Sequence, residues 1–202
     1  MIRLIEPRDA EACFEIYRPY VEKTLISFEY EAPSVEEWMK RVETNSKEYP
    51  WLVCEYKGEV IGYAYGSKHR YRTAYSWSAE STIYLKENFH TKGIGKILYT
   101  TLFELMKLQG YVNVFAGVAM PNEKSENFHK DCGFYEIGIF KKIGYKFGAW
   151  HDTKWFELNI NEHATVPAVI KQTKEMKDSP SFKLVLEIAN TNANKTLLAM
   201  QL

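Results

Sequence analysis

Three observations predict an α+β fold with a mixed, mostly antiparallel central sheet flanked by helices. The 202-residue chain is 46% hydrophobic and 15% aromatic, enough apolar mass for one well-packed core. Short alternating runs bounded by Gly, Pro and Asn recur as far as Ile160, the signature of strands joined by tight turns. One long helical stripe, Gly93–Gln109, falls between two of those runs. A single crossover of the parallel kind therefore interrupts a meandering sheet.

Taken in order, Ile2–Ile5 reads as a short strand. Pro7-Arg8-Asp9 then opens a helix to about Glu22, with Ala12, Ile16, Tyr20 and Lys23 at helical spacing. Ser27-Phe28-Glu29-Tyr30 is a loop, and Ser34 followed by Glu37 is a capping box that starts a helix to about Asn45. Trp51–Tyr56 and Glu59–Ser67 form a hairpin around Lys57-Gly58, and Ala74–Leu85 is the next strand. In Gly93–Gln109 the residues Ile94, Leu98, Leu102, Leu105 and Leu108 make the apolar stripe, and Gly110 caps its end. Val112–Val118 is a strand, Glu123–Asp131 a helix, and Phe134–Ile143 and Lys154–Ile160 are the last two strands. Residues 1–160 are expected to form one domain and 161–202 a C-terminal extension. The extension is Lys-rich and polar through Pro180 and then apolar in patches, with a short helix or strand at Phe182–Ala189.

Composition excludes several classes of function. Lys plus Arg equal Asp plus Glu at 26 each, so no global charge recruits nucleic acid or anionic lipid, and recognition of an anion has to be local. Charges occur too early in MIRLIEPRDAEACF for a secretory signal, and no apolar run is long enough to span a membrane. Cys13, Cys54 and Cys132 are odd in number and widely spaced. That suits a reducing cytoplasm and argues against a disulfide scaffold or a metal site.

The stretch with chemical content is Glu80–Tyr99. A strand ends at Leu85, a polar loop follows, and Gly93 and Gly95 stand where a helix would expose unpaired N–H groups and the positive end of its dipole. A phosphate is the natural ligand of such a turn. A Walker loop requires Gly five residues before Gly95 and Ser or Thr after Lys96, but His90 and Ile97 occupy those positions. A dinucleotide fingerprint requires a third glycine where Leu98 stands. What remains, His90-x-x-Gly93-x-Gly95, resembles the Q/R-x-x-G-x-G pyrophosphate loop of the GNAT superfamily of N-acetyltransferases, with His90 departing from the usual Gln or Arg. Further motifs follow in order. Pro121-Asn122, Phe128-His129 and Gly133-Phe134 are similar to the superfamily's acyl-CoA-contacting Asn and following helix. Tyr75-x-Trp77-x-Ala79-Glu80-Ser81-Thr82-Ile83-Tyr84 and Gly144–Asp152 resemble the branch holding phosphinothricin and methionine sulfoximine/sulfone acetyltransferases.

The resemblance implies an N-acetyltransferase that uses acetyl-CoA and no metal. It would act on the amine of a small amino acid-like acceptor by direct transfer in a ternary complex, and would form a homodimer. The sheet would splay around Ser81–Leu85 to admit the cofactor. Main-chain groups of Ile83, Tyr84 and Leu85 would border the acyl arm, and Thr91, Lys92, Gly93, Ile94, Gly95 and Lys96 would hold the pyrophosphate. Asn122 is a cofactor contact or a helix N-cap, and the two roles are compatible. Glu80 is the candidate general base. His129 stands where the superfamily usually has a Tyr general acid, and is read either as that acid or as a buried hydrogen-bonded His. Phe28, Arg70, Tyr71, Arg72, Ser81 and Thr82 are the candidate acceptor contacts, the two guanidiniums suiting a carboxylate. Two other readings stand beside this one: acetylation of a protein N-terminus or polyamine, and a catalytically silent acyl-CoA-binding module.

Overall fold

The computed structural model describes residues 1–199, so the last three positions of the 161–202 extension lie outside the described residues. Seven strands form one sheet in the order β1-β2-β3-β4-β5-β7-β6. They are β1 (Ile2–Leu4), β2 (Trp51–Tyr56), β3 (Glu59–Lys68), β4 (Ser78–Leu85), β5 (Asn113–Ala119), β6 (Tyr135–Lys146) and β7 (Ala149–Asn159). Every neighbouring pair is antiparallel except β4–β5, which is parallel. The helices are α1 (Ala10–Lys23), α2 (Val35–Glu48), α3 (Ile94–Gln109), α4 (Glu123–Asp131), α5 (Thr173–Met176) and α6 (Pro180–Ala199).

Strand alternation sorts the side chains into two layers. Trp51 and Val53 pack with Phe14, Tyr17 and Trp38 of α1 and α2 on one face. Leu52, Cys54, Val114, Ala116 and Phe156 pack with Leu98, Leu102 and Leu105 of α3 on the other. The α6 helix joins this second, larger core through Phe182, Ala189, Ala193 and Leu197, each at most 4% exposed. Its Asn190 pairs with the edge strand, accepting from the Ile2 N–H at 2.6 Å and donating to the Ile2 carbonyl at 2.9 Å.

The β4–β5 contact organises everything that follows. It has three rungs only, Ser78↔Asn113, Ala79↔Val114 and Glu80↔Phe115. Beyond Glu80, β4 stays paired with β3 as far as Leu85↔Gly62, and β5 stays paired with β7 as far as Ala119↔Thr153. The two blades separate, and a gap opens at Glu80.

Several element boundaries differ from the sequence expectation. The strand expected at Ala74–Leu85 begins at Ser78, because Thr73–Tyr75 form a 3-10 turn. The last two strands are longer than Phe134–Ile143 and Lys154–Ile160 and meet in a hairpin at Phe147-Gly148, both with positive φ (51° and 78°). Phe at such a position carries no turn signal, and register shifts at Glu136/Gly138 and Phe140/Gly144 break the alternation that marks a strand. In the extension the short element expected at Phe182–Ala189 is part of the 20-residue α6. Asn and Thr residues between its apolar positions mask the helical period.

Candidate active site

The start of α3 leaves its first main-chain donors free. Gly93 is the N-cap residue with φ 82°, a left-handed conformation that a side chain resists, and no side chain caps the helix. The first turn contains no acidic residue, and the Ile97 N–H is the first to close on Gly93, at 3.3 Å. The N–H groups of Ile94, Gly95 and Lys96 are therefore not consumed within the helix. The Ile94 side chain is fully buried, so its part in this turn is main-chain only. Gly95 lies against Leu85 and Phe128, where an added Cβ would come within 3.3 Å of either. Thr91 and Lys92 are exposed on the loop; the Thr91 hydroxyl donates to the His90 carbonyl, and the Lys92 ammonium sits 5.8 Å from the Phe89 ring. His90 turns away from this cradle. Its Nε2 lies 2.9 Å from the Tyr20 hydroxyl and 3.1 Å from the Leu85 carbonyl, which can only accept, so Nε2 carries the proton.

Along the gap, Ile83 and Leu85 pack toward α3, and Tyr84 packs on the opposite face against Tyr17 and Tyr20. Their side chains are packing groups; their main chain borders the opening. Asn122 is an N-cap, its Oδ1 accepting from the Ser125 N–H at 3.2 Å.

On the α1/α2 face of the sheet, beside the last β4–β5 rung, lies a cavity of about 350 Å³. Phe28, His69, Arg70, Glu80, Phe140, Ile143, Thr153 and Trp155 line it. The candidate acceptor contacts Phe28 and Arg70 are brought together here with the candidate base Glu80. Tyr71 and Arg72 are not: the chain leaves the sheet after β3, Tyr71 is 96% exposed, and neither lines the cavity. Thr82 shares the Glu80 face but sits opposite Tyr65 on β3. Ser81 faces the other way, is buried, and donates to the Tyr99 hydroxyl at 3.2 Å. The sequence reading missed His69, whose Nδ1 is 2.9 Å from Glu80 Oε1. It also missed the apolar wall of Phe140, Ile143 and Trp155. Strand parity could have found His69, because Ser67 pairs with Glu80 and residue 69 follows on the same face.

Phe28 is held by the β6–β7 hairpin. Its ring lies so close to Gly144 that a Cβ there would come within 2.5 Å. Lys146, 1% exposed, donates to the Val21, Thr24 and Ser27 carbonyls at 2.6, 3.0 and 2.7 Å. It caps the end of α1 and fixes the loop that carries Phe28.

Of the two readings of His129, general acid or buried hydrogen-bonded His, the geometry fits the second. It is 5% exposed, on the sheet face opposite Glu80, and stacked on Phe156 with ring centroids 5.6 Å apart. Its Nδ1 donates to the Ser125 carbonyl at 2.7 Å, which leaves Nε2 as the acceptor for the Tyr99 hydroxyl at 3.3 Å. Burial holds the ring below its ordinary pKa, in the neutral form. Both ring nitrogens therefore have partners inside the fold, the Ser125 carbonyl and the Tyr99 hydroxyl. Cys132, next on that helix, has its thiol pushed up to about 11 by burial, so it is protonated and a poor nucleophile at neutral pH.

An uncapped, glycine-opened helix end beside parted parallel strands, with a carboxylate at the fork, is a turn suited to a phosphate-bearing ligand next to a gap that could admit its extended arm. Comparison with known proteins gives the family. A family model described as the acetyltransferase (GNAT) domain matches residues 2–155, and the chain belongs to that family. Phosphinothricin N-acetyltransferase of Streptomyces viridochromogenes is 35% identical over 159 residues, spanning 79% of this chain and 87% of the relative. The L-methionine sulfoximine/L-methionine sulfone acetyltransferase of Salmonella typhimurium is 28% identical over 168 residues, 83% of this chain and 98% of the relative. A GNAT superfamily phosphinothricin acetyltransferase from Sinorhizobium meliloti, solved in complex with acetyl-CoA, superposes with a TM-score of 0.79 at 34% identity, covering 83% of this chain and 92% of that one.

Proposed function

We propose that this protein acetylates the amine of a small amino acid-like acceptor of the phosphinothricin, methionine sulfoximine or methionine sulfone type, with acetyl-CoA as co-substrate. The observation that carries the reading is the position of Glu80, on the last rung before β4 and β5 part and on the wall of a cavity sized for a small molecule. The residues fit the co-substrate: the α3 start offers free N–H donors and no opposing carboxylate, and the freed β4 edge offers main-chain groups to an extended arm. When bound, acetyl-CoA supplies the activated acyl group. This chain's residues do the rest. Glu80 takes a proton from the acceptor ammonium so that the amine lone pair is free. Arg70 offers a guanidinium to the acceptor's carboxylate, and Phe28, Phe140, Ile143 and Trp155 exclude water from its side chain. Main-chain N–H groups of β4 at the fork, which face no strand, would polarise the acyl carbonyl. Transfer would be direct, with no acyl-enzyme: the amine nitrogen would bond the acetyl carbon as the carbon–sulfur bond breaks, and the second proton lost by nitrogen would leave with the sulfur as free thiol.

We further propose a homodimer in the cytoplasm. Tyr135, Ile137, Tyr145, Phe147 and Trp150 of the β6–β7 hairpin at the sheet edge are 45–61% exposed, which supports a self-association face. Three free thiols fit a reducing compartment. No helix among the described residues is long and apolar enough to cross a membrane.

The test is thiol release from acetyl-CoA with a panel of amines: phosphinothricin, methionine sulfoximine, methionine sulfone, ordinary amino acids, polyamines and an N-terminal peptide. Saturable release with the first three supports the assignment. Release with polyamine or peptide alone would overturn the role given to Arg70. Silence with acetyl-CoA still bound would favour a binding module.

A further inference from the structure

We infer that His69 is a positioning residue for Glu80, fixing one carboxylate oxygen so that the other faces the acceptor amine; this rests on the reading of Glu80 as the base. The His69 ring is held on two sides. It stacks on Phe115 with centroids 4.4 Å apart and planes 17° apart, and meets Trp155 edge-on at 6.0 Å and 70°. Phe115 is the β5 partner of Glu80 in the last rung, so the imidazole is laid over the fork itself. Its side chain is 12% exposed against 34% for that of Glu80. The buried partner is the fixed one, and the carboxylate is the one that reaches into the cavity.

Direction follows from chemistry. A carboxylate can only accept, so the 2.9 Å contact places the proton on Nδ1, donating to Oε1. Oε2 is left for the incoming ammonium. Glutamate has three rotatable bonds and would otherwise sample several rotamers at the mouth of an open cavity. One charge-assisted hydrogen bond from a stacked ring selects among them before substrate arrives. His69 itself touches no reacting atom in this arrangement.

The test uses His69→Phe, which keeps the stacked ring and removes the donor, and His69→Asn, which keeps an N–H near the Nδ1 position. Glu80→Gln and the double variant Glu80→Gln/His69→Phe complete the set. In the full-length protein, His69→Phe is expected to lower kcat on the order of 10- to 100-fold with the KM for acetyl-CoA unchanged. His69→Asn should recover most of that loss, and the double variant should be no slower than Glu80→Gln alone. Wild-type kcat in His69→Phe, or losses that multiply in the double variant, would overturn the inference while leaving Glu80 as base. Wild-type turnover in Glu80→Gln would instead remove the base assignment on which it rests. Equal thermal unfolding of His69→Phe and His69→Asn is the control for a packing defect, and a loss of kcat that tracked Tm in both would also overturn the inference.

Discussion

Two buried ionisable residues show how the molecule spends charge. Lys146 gives up bulk water for three carbonyls at the end of α1, and burial lowers its pKa from the ordinary lysine value. Replacing it with methionine keeps the stem but leaves those acceptors unmet. Lys146→Met is expected to cost about 2–3 kcal/mol in urea unfolding and to raise the KM for the acceptor more than that for acetyl-CoA, because Phe28 loses its anchor. His129 makes the opposite bargain, staying neutral among aromatic rings. Its folded pKa lies below the ordinary value near 6.5, so the unfolded chain takes up a proton first as pH falls. The stability His129 supports is present above about pH 6.5 and is lost below it, with a slope of at most about 1.4 kcal/mol per pH unit. Urea unfolding between pH 7.5 and 5.5 should show this loss in the wild type and a shallower one in His129→Gln. Sequence made Glu80 and the glycines visible because a motif surrounds them. His129 was legible as a position and not as a role, since nothing local says that Tyr99 and Phe156 close over it. His69 escaped notice because its meaning depends on Phe115, some 46 residues away in the chain and adjacent only through the parallel pairing.

Among the elements, the start of α3 carries the clearest prediction. Gly93 needs φ 82°, and the cost of placing a side chain there is about 1–2 kcal/mol, more for a β-branched one. Gly93→Val is expected to weaken acetyl-CoA binding roughly tenfold or more by calorimetry, equivalent to about 1.4 kcal/mol. Unchanged affinity would remove the loop from the cofactor site. The α3 helix was legible because an apolar stripe, a glycine start and Gly110 at the end (φ 102°) all agree. The capping box of α2 was legible for the same reason: Ser34 Oγ accepts from the Glu37 N–H at 3.2 Å. The β6–β7 hairpin was only half legible. Its bulges shift the alternating pattern, and its turn uses Phe147 where Asn or Asp would have announced it.

At the scale of the whole molecule, the extension is wound into the fold. The Trp77 indole donates to the Ala168 carbonyl at 2.7 Å, Gln109 bridges the Glu48 and Lys171 carbonyls, and Asn190 pairs with β1. Phe182 is fully buried in the α3 core. Phe182→Ala is expected to cost about 3–5 kcal/mol, lowering Tm by roughly 10 °C, while thiol release at 25 °C changes little. A Tm within a degree or so of wild type would show the helix to be dispensable. The fold class was readable from element order. The place of the extension was not, because α6 packs on residues far away in sequence and shows a helical period only once its buried face is known.

The three rungs between β4 and β5 have a mechanical meaning. Four strands lie on one side of that seam and three on the other, so the sheet behaves as two plates joined along a short hinge. An extended molecule lodged in the fork would find the freed edge of β4 on one side and act as a strut between the plates. Stiffness would then belong to the loaded enzyme, and compliance to the empty one. With Glu80 on the last rung of that seam, the angle between the plates would set how its carboxylate lies relative to an amine held in the cavity. Because Ala79 and Val114 are also fully buried in the core behind that seam, substitutions there would be felt in stability as well as in the geometry of the fork.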